Sequence, residues 1–146
     1  MTKLIETALK YYGITEQATE AKNSPTIVKW IQYLLPWAKA DEIPWCSAFV
    51  NGIALEAGYE HFNQGHGSAL ARMWLHKGNV VETPMLGDVV VLWRGNINAT
   101  TGHVGFFIRE NATHVFLLGG NQSNQVNIAA FPKDRVLGYR RLNRKA

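Results

Sequence analysis

A single cysteine, Cys46, in a chain of 146 residues leaves no partner for an internal disulfide, and it rules out four-cysteine and cysteine–histidine zinc frameworks. Long apolar runs are missing as well. Residues 1–20 interleave charged and apolar side chains, which is neither a secretory leader pattern nor the ~20-residue apolar stretch of a membrane-spanning helix. There is no internal repeat, low-complexity segment or linker. Excess charge is small: the net value is +4, and the one basic cluster is Arg140, Arg141, Arg144 and Lys145 at the C-terminal end. No helix-turn-helix, finger or RNA-reading aromatic pattern accompanies it, so nucleic acid is not the expected partner, and a mild positive charge equally suits steering toward a polyanionic polymer.

What is present fits one domain spanning residues 1–146, since 47% of the residues are hydrophobic and 11% aromatic, enough for a proper core. Leu4, Ile5, Ala8, Leu9 and Tyr12 predict a first helix closed by Gly13. Asn23-Ser24-Pro25 reads as the cap and first turn of a second, which carries Ile27, Trp30, Ile31 and Leu34 and stops near Pro36. A third, amphipathic helix starts at Cys46 and runs through Phe49, Val50, Ile53, Ala54 and Ala57 to a left-handed stop at Gly58, and a further one is expected from about Ser68 to His76. The period then changes to short β-rich runs at 80–81, 88–93, 103–108, 114–118, 126–129 and 136–139, with Gly87, Gly95, Asn98, Gly102, Asn111 and Gly119-Gly120 as turns. Helices followed by an antiparallel meander make an α+β fold.

Cys46 lies in the first turn of its helix, with Pro44 supporting a sharp entry, and unpaired N–H groups and the helix dipole there favour a thiolate and a lowered pKa. A lone cysteine on an apolar face is more often an inert core residue, so the rest of a site must be sought. Of the five histidines, His61, His66, His76 and His114 fall in loop, exposed-helix or solvated positions, whereas His103 opens an apolar strand between Gly102 and Gly105. Pairing of the strands on either side of Asn111 brings Asn121, in Gly119-Gly120-Asn121-Gln122, beside His103. An amide oxygen there can orient an imidazole toward a thiol, as in Cys-His-Asn catalysis, although the same residues also make an ordinary turn.

Pro44-Trp45-Cys46-Ser47-Ala48-Phe49-Val50, Gly87-Asp88-Val89-Val90, Gly102-His103-Val104-Gly105 and Gly119-Gly120-Asn121-Gln122, in this order, resemble the papain-like peptidoglycan hydrolases of the NlpC and CHAP type. Within that group the chain is similar to small bacterial and phage proteins, and the likeness covers nearly its whole length. The resemblance implies a papain-like fold with the nucleophile helix packed on the antiparallel sheet, Cys46 as nucleophile, His103 as general base and then acid, and Asn121 as orienting residue, with Gln122 ranked second for that role or as a substrate contact. Gly119 stands where many CHAP relatives carry an acid, and Asp88 reads as structural. Trp45, Trp74 and Trp93 are candidates to line a groove for an extended peptide, against the commoner reading of buried aromatics as core.

The implied activity is that of a cysteine peptidase or amidase: it hydrolyses an amide bond of a peptidoglycan stem peptide through a thioester, needs no metal or other cofactor, and acts as a phage lysin or antibacterial effector. Such a chain would be made in the cytoplasm and reach the wall through delivery or release, with an immunity protein or a phage or secretion assembly as a further partner. The alternatives are a catalytically silent wall-binding module and a thiol acyltransferase on the same scaffold. Geometrically, the expectation is a helix whose start at Trp45-Cys46 faces His103.

Overall fold

A computed structural model describes residues 2–15, 25–37, 45–65 and 70–145. The expected cap at Asn23-Ser24, the entry proline Pro44, His66 and the start of the fourth helix at Ser68 lie outside these residues. Among the described residues three α-helices precede the sheet: α1 (Lys3–Leu9), α2 (Pro25–Leu34) and α3 (Cys46–Ala57). Thr2 caps α1, its hydroxyl accepting from the Ile5 N–H at 3.1 Å, and the helix buries Leu4, Ile5 and Ala8. Trp30, Ile31 and Leu34 turn one face of α2 inward against α3. Gly58 ends α3 at φ 81°, a left-handed conformation that glycine adopts without steric cost. Where a fourth α-helix is expected, Ala71–His76 form a 3-10 helix, whose three-residue period turns Ala71 and Trp74 to the same buried side.

The strands are β1 (Asn79–Val81), β2 (Val89–Trp93), β3 (Gly102–Glu110), β4 (His114–Gln122), β5 (Gln125–Pro132) and β6 (Val136–Arg141). They form one antiparallel sheet in the order β1-β6-β2-β3-β4-β5. The meander therefore holds for β2 to β5, while β6 returns across the sheet and inserts between β1 and β2. A short 3-10 turn at Lys133–Arg135 redirects the chain, and the Arg135 guanidinium donates to the Trp93 carbonyl at 2.9 and 3.1 Å, fastening the return to the end of β2.

Both faces of the sheet are apolar, as the unbroken run Val89-Val90-Val91-Leu92 requires. Val89, Val91, Val104, Phe106 and Leu118 pack into the main core with Phe49, Val50 and Ile53 of α3. Val90, Leu92, Phe107, Val115 and Leu117 form a second core on the other face, covered by Phe131, Val136 and Tyr139. Asp88 is buried beside this frame, where it accepts from the Met85 N–H at 2.7 Å and from two nitrogens of Arg141 at 2.8 and 2.9 Å. Among the described residues no helix is long and apolar enough to cross a membrane.

Gly119 and Gly120, expected as a turn, belong to β4 instead; the turn is Ser123-Asn124, both with positive φ (54° and 63°). Their glycine identity has a packing cause. A Cβ on Gly120 would stand 2.7 Å from both the Phe49 Cβ and the Trp45 ring, so only glycine lets α3 lie this close to β4. Gly120→Ala is accordingly expected to lower stability by about 1–3 kcal/mol in urea unfolding; an unchanged midpoint would show that the helix and strand are not in contact there.

Candidate functional site

Helix α3 begins at Cys46, with the Phe49 N–H bonded to the Trp45 carbonyl at 2.9 Å, so the Cys46 and Ser47 amides lie in the helix's first turn, beside the sulfur. The backbone N–H groups of Val104, Ser47 and Cys46 all favour its thiolate, as does the charge of Arg94. Burial outweighs them: Cys46 is only 4% exposed, and desolvation pushes its pKa up. The sequence expectation of a lowered pKa counted the helix start and not the apolar packing around it. The resting sulfur is thus a neutral thiol surrounded by amides suited to an anion.

His103, the second residue of β3, is 2% exposed and packs against Phe131, with ring centroids 4.9 Å apart. Its orienting partner is Gln122, the second-ranked residue, and not Asn121: the imidazole Nε2 and the Gln122 Oε1 are 2.9 Å apart. The amide cannot be turned around, because its NH2 group donates to the carbonyls of Leu117 at 3.2 Å and Asn127 at 2.8 Å and to Asn127 Oδ1 at 2.9 Å. Oxygen therefore faces the ring, and oxygen only accepts, so Nε2 carries the proton. In the neutral ring the lone pair is left on Nδ1, which is buried without a hydrogen-bond partner among the described residues. Gly119 makes room for this bond, since a Cβ there would lie 2.4 Å from the Gln122 oxygen. Burial lowers the His103 pKa to about 4; the Gln122 hydrogen bond opposes that, and the charges of Arg94 and Arg135 add to it.

Strand alternation separates the two groups. His103 pairs with Leu92 and shares the second core's face, while the next residue, Val104, points into the main core beside α3. The helix start therefore meets the Val104 amide and not the imidazole, and no hydrogen bond joins the sulfur to either ring nitrogen. This departs from the expected direct facing of Cys46 and His103. Cys46 lines a cavity of about 170 Å³ and His103 an adjacent one of about 210 Å³, and Arg94 and Asn121 line both. Asn121, at φ 58°, is thus between the two groups without bonding the ring.

The tryptophans divide by burial. Trp45 and Trp74 are fully buried, Trp45 stacked with Trp30 and Trp74 donating from Nε1 to the Ser47 hydroxyl at 2.9 Å, so they belong to the core and not to a groove. Trp93 keeps partial exposure at the end of β2, with the Arg135 guanidinium 5.4 Å from its ring centroid. Of the other histidines, His61 bonds the Tyr59 carbonyl and His114 the Thr113 hydroxyl, away from Cys46. Among the described residues no cluster of His, Cys, Asp and Glu is arranged to hold a metal ion. Sequence reasoning missed Arg94, which sits directly after an apolar strand with no motif to mark it, and Phe131, whose partner could be known only from the β4–β5 register. No protein-family model and no curated protein matches the chain.

The buried imidazole makes a testable demand on stability. Because folding lowers its pKa from 6.5 to about 4, the folded protein binds fewer protons than the unfolded chain between those values. The contribution is complete above about pH 6.5 and is lost as pH falls toward 4, amounting to about 3 kcal/mol at about 1.4 kcal/mol per tenfold change in proton affinity. Urea unfolding followed from pH 7.5 to 4 should lose stability by about that amount relative to the same series on His103→Gln; parallel curves would place the imidazole in solvent.

Proposed function

We propose that the protein is a cysteine hydrolase of peptidoglycan stem peptides, with Cys46 as nucleophile, His103 as base and then acid, and Gln122 holding the imidazole. The observation that carries the reading is the His103 tautomer. Gln122 accepts from Nε2, and the unprotonated Nδ1 is buried and unpartnered one residue before the amide that addresses the sulfur. The ordered Trp-Cys-Ser-Ala-Phe-Val, Gly-His-Val-Gly and Gly-Gly-Asn-Gln segments add the resemblance to NlpC- and CHAP-type hydrolases, and with it a papain-like arrangement as the proposed fold family.

A raised thiol and a lowered imidazole leave both groups neutral at pH 7, so the proton moves during attack and not before it. In this reading a water in the adjoining cavities carries the proton: it takes the thiol proton and gives one of its own to Nδ1 as sulfur bonds to the amide carbon, and the carbonyl oxygen gains the negative charge. The N–H groups of Cys46 and Ser47 at the helix start are the donors for that oxyanion. Collapse breaks the C–N bond, the imidazolium protonates the departing amine, and a thioester remains. Water then gives a proton to Nδ1 and attacks the thioester, releasing the acid and restoring the thiol. Action on the wall would make the chain a lysin or an antibacterial effector that reaches its substrate by delivery or release.

A second reading has an observation in its favour: the sulfur is buried and unbonded to the imidazole, as in a silent wall-binding module. Digestion of purified sacculi separates the two. Cys46→Ala and His103→Ala should each reduce muropeptide release at least 100-fold while the protein stays folded, and Gln122→Ala should cost more than Asn121→Ala. Sacculus binding with no release by the native protein would establish the silent module.

A further inference from the structure

Three arginines approach the two cavities, and two of them are already engaged. Arg72 spans the β2–β3 loop, donating from Nε to the Thr101 carbonyl at 2.7 Å, from Nη1 to Ile97 at 2.9 Å and from Nη2 to Asn96 at 3.0 Å. Arg135 is spent on the Trp93 carbonyl. Arg94 is different: its backbone closes the loop against Thr101, yet its guanidinium makes no hydrogen bond or ion pair among the described residues. It is also, with Asn121, the side chain common to the cavity of the sulfur and the cavity of the imidazole. No acidic residue is among the described residues lining either one. A guanidinium whose planar donors have no partner among the described residues, held by a braced loop over two cavities with no acidic lining among those residues, is suited to receive a planar anion.

We propose that Arg94 is a specificity-determining residue that binds a free carboxylate of the substrate next to the amide bond presented to Cys46. The inference rests on the hydrolase reading and adds the substrate class to it: peptides with an unamidated carboxylate close to the reacting carbonyl. In a stem peptide that carboxylate has two sources, the α-carboxyl of a γ-linked glutamate and the C-terminal carboxyl. Asn121, lining both cavities, is placed to donate to the same group. Arg72 acts as a positioning residue, fixing the loop that carries Arg94.

The test uses the full-length protein with Cys46→Ala to stop turnover, and three synthetic tetrapeptides of stem sequence: both carboxyls free, the glutamate α-carboxyl amidated, or the C-terminus amidated. Calorimetric binding should weaken about five- to tenfold for one of the two amidated peptides, which identifies the carboxylate that is read, and the selectivity should shrink as salt rises. Adding Arg94→Gln should abolish the difference, and Arg94→Lys should restore part of it. Equal binding of all three peptides, or selectivity that survives Arg94→Gln, would overturn the proposal. Turnover by the unmodified protein is measured in parallel. Carboxylate-selective, Arg94-dependent binding without any hydrolysis would overturn the hydrolase reading and leave the anion site standing as that of a binding module.

Discussion

The approach of α3 to β4 at Gly120 is the contact on which the rest of the structure depends. With the Trp45 ring and Phe49 against a backbone that carries no Cβ, the helix sits one side chain closer to the sheet than any other residue would allow. That depth is what carries the first turn of α3 to the beginning of β3, so that the Val104 amide addresses Cys46. It also buries the sulfur, and the desolvation that raises its pKa is the cost of the same packing. A neighbouring glycine serves the other half of the site. Gly119 leaves the space in which the Gln122 amide reaches His103, so two adjacent glycines place a helix on one face of the strand and an oriented imidazole on the other.

The chemical state of the site follows from hydrogen-bond accounting more than from proximity. Leu117 and Asn127 accept from the Gln122 nitrogen, Gln122 accepts from Nε2, and the basic lone pair ends on Nδ1. Each step removes one freedom from the next group. A buried base with no partner is costly to maintain, and burial at a core position would be satisfied more cheaply by an apolar side chain. That cost is the physical reason to read His103 as functional. Nδ1 and the sulfur stand on opposite faces of the sheet with no hydrogen bond between them, and the cavities that share Arg94 and Asn121 are what connects their surroundings.

Much of the fold was legible in the sequence because its signals are local. The Val89–Leu92 run, the glycine stop at residue 58 and the strand-turn alternation after residue 79 each report on a few neighbouring residues, and each corresponds to an element in the structure. Insertion of β6 between β1 and β2 was not legible, since the return of a strand across a sheet depends on long-range contacts such as Arg135 with Trp93. Cys46, His103 and the Asn121-Gln122 pair could be picked out by type and order. Their division of labour could not: choosing Gln122 over Asn121 depends on the bulged end of β4, where the register shifts between Gly119 and Gln122. Burial likewise moved Trp45 and Trp74 from candidate groove to core, because aromatic identity says nothing about which face of an element is covered.

The central claim is that Cys46 forms a covalent bond to the acyl group of a stem peptide. Rapid acid quenching of the protein with excess muropeptide, followed by peptide mapping in a mass spectrometer, tests it directly. The account predicts an acyl mass on the fragment containing Cys46, removed by neutral hydroxylamine as a thioester must be. Muropeptide cleavage with Cys46 unmodified at every quench time, or an acyl group found on another residue, would contradict it.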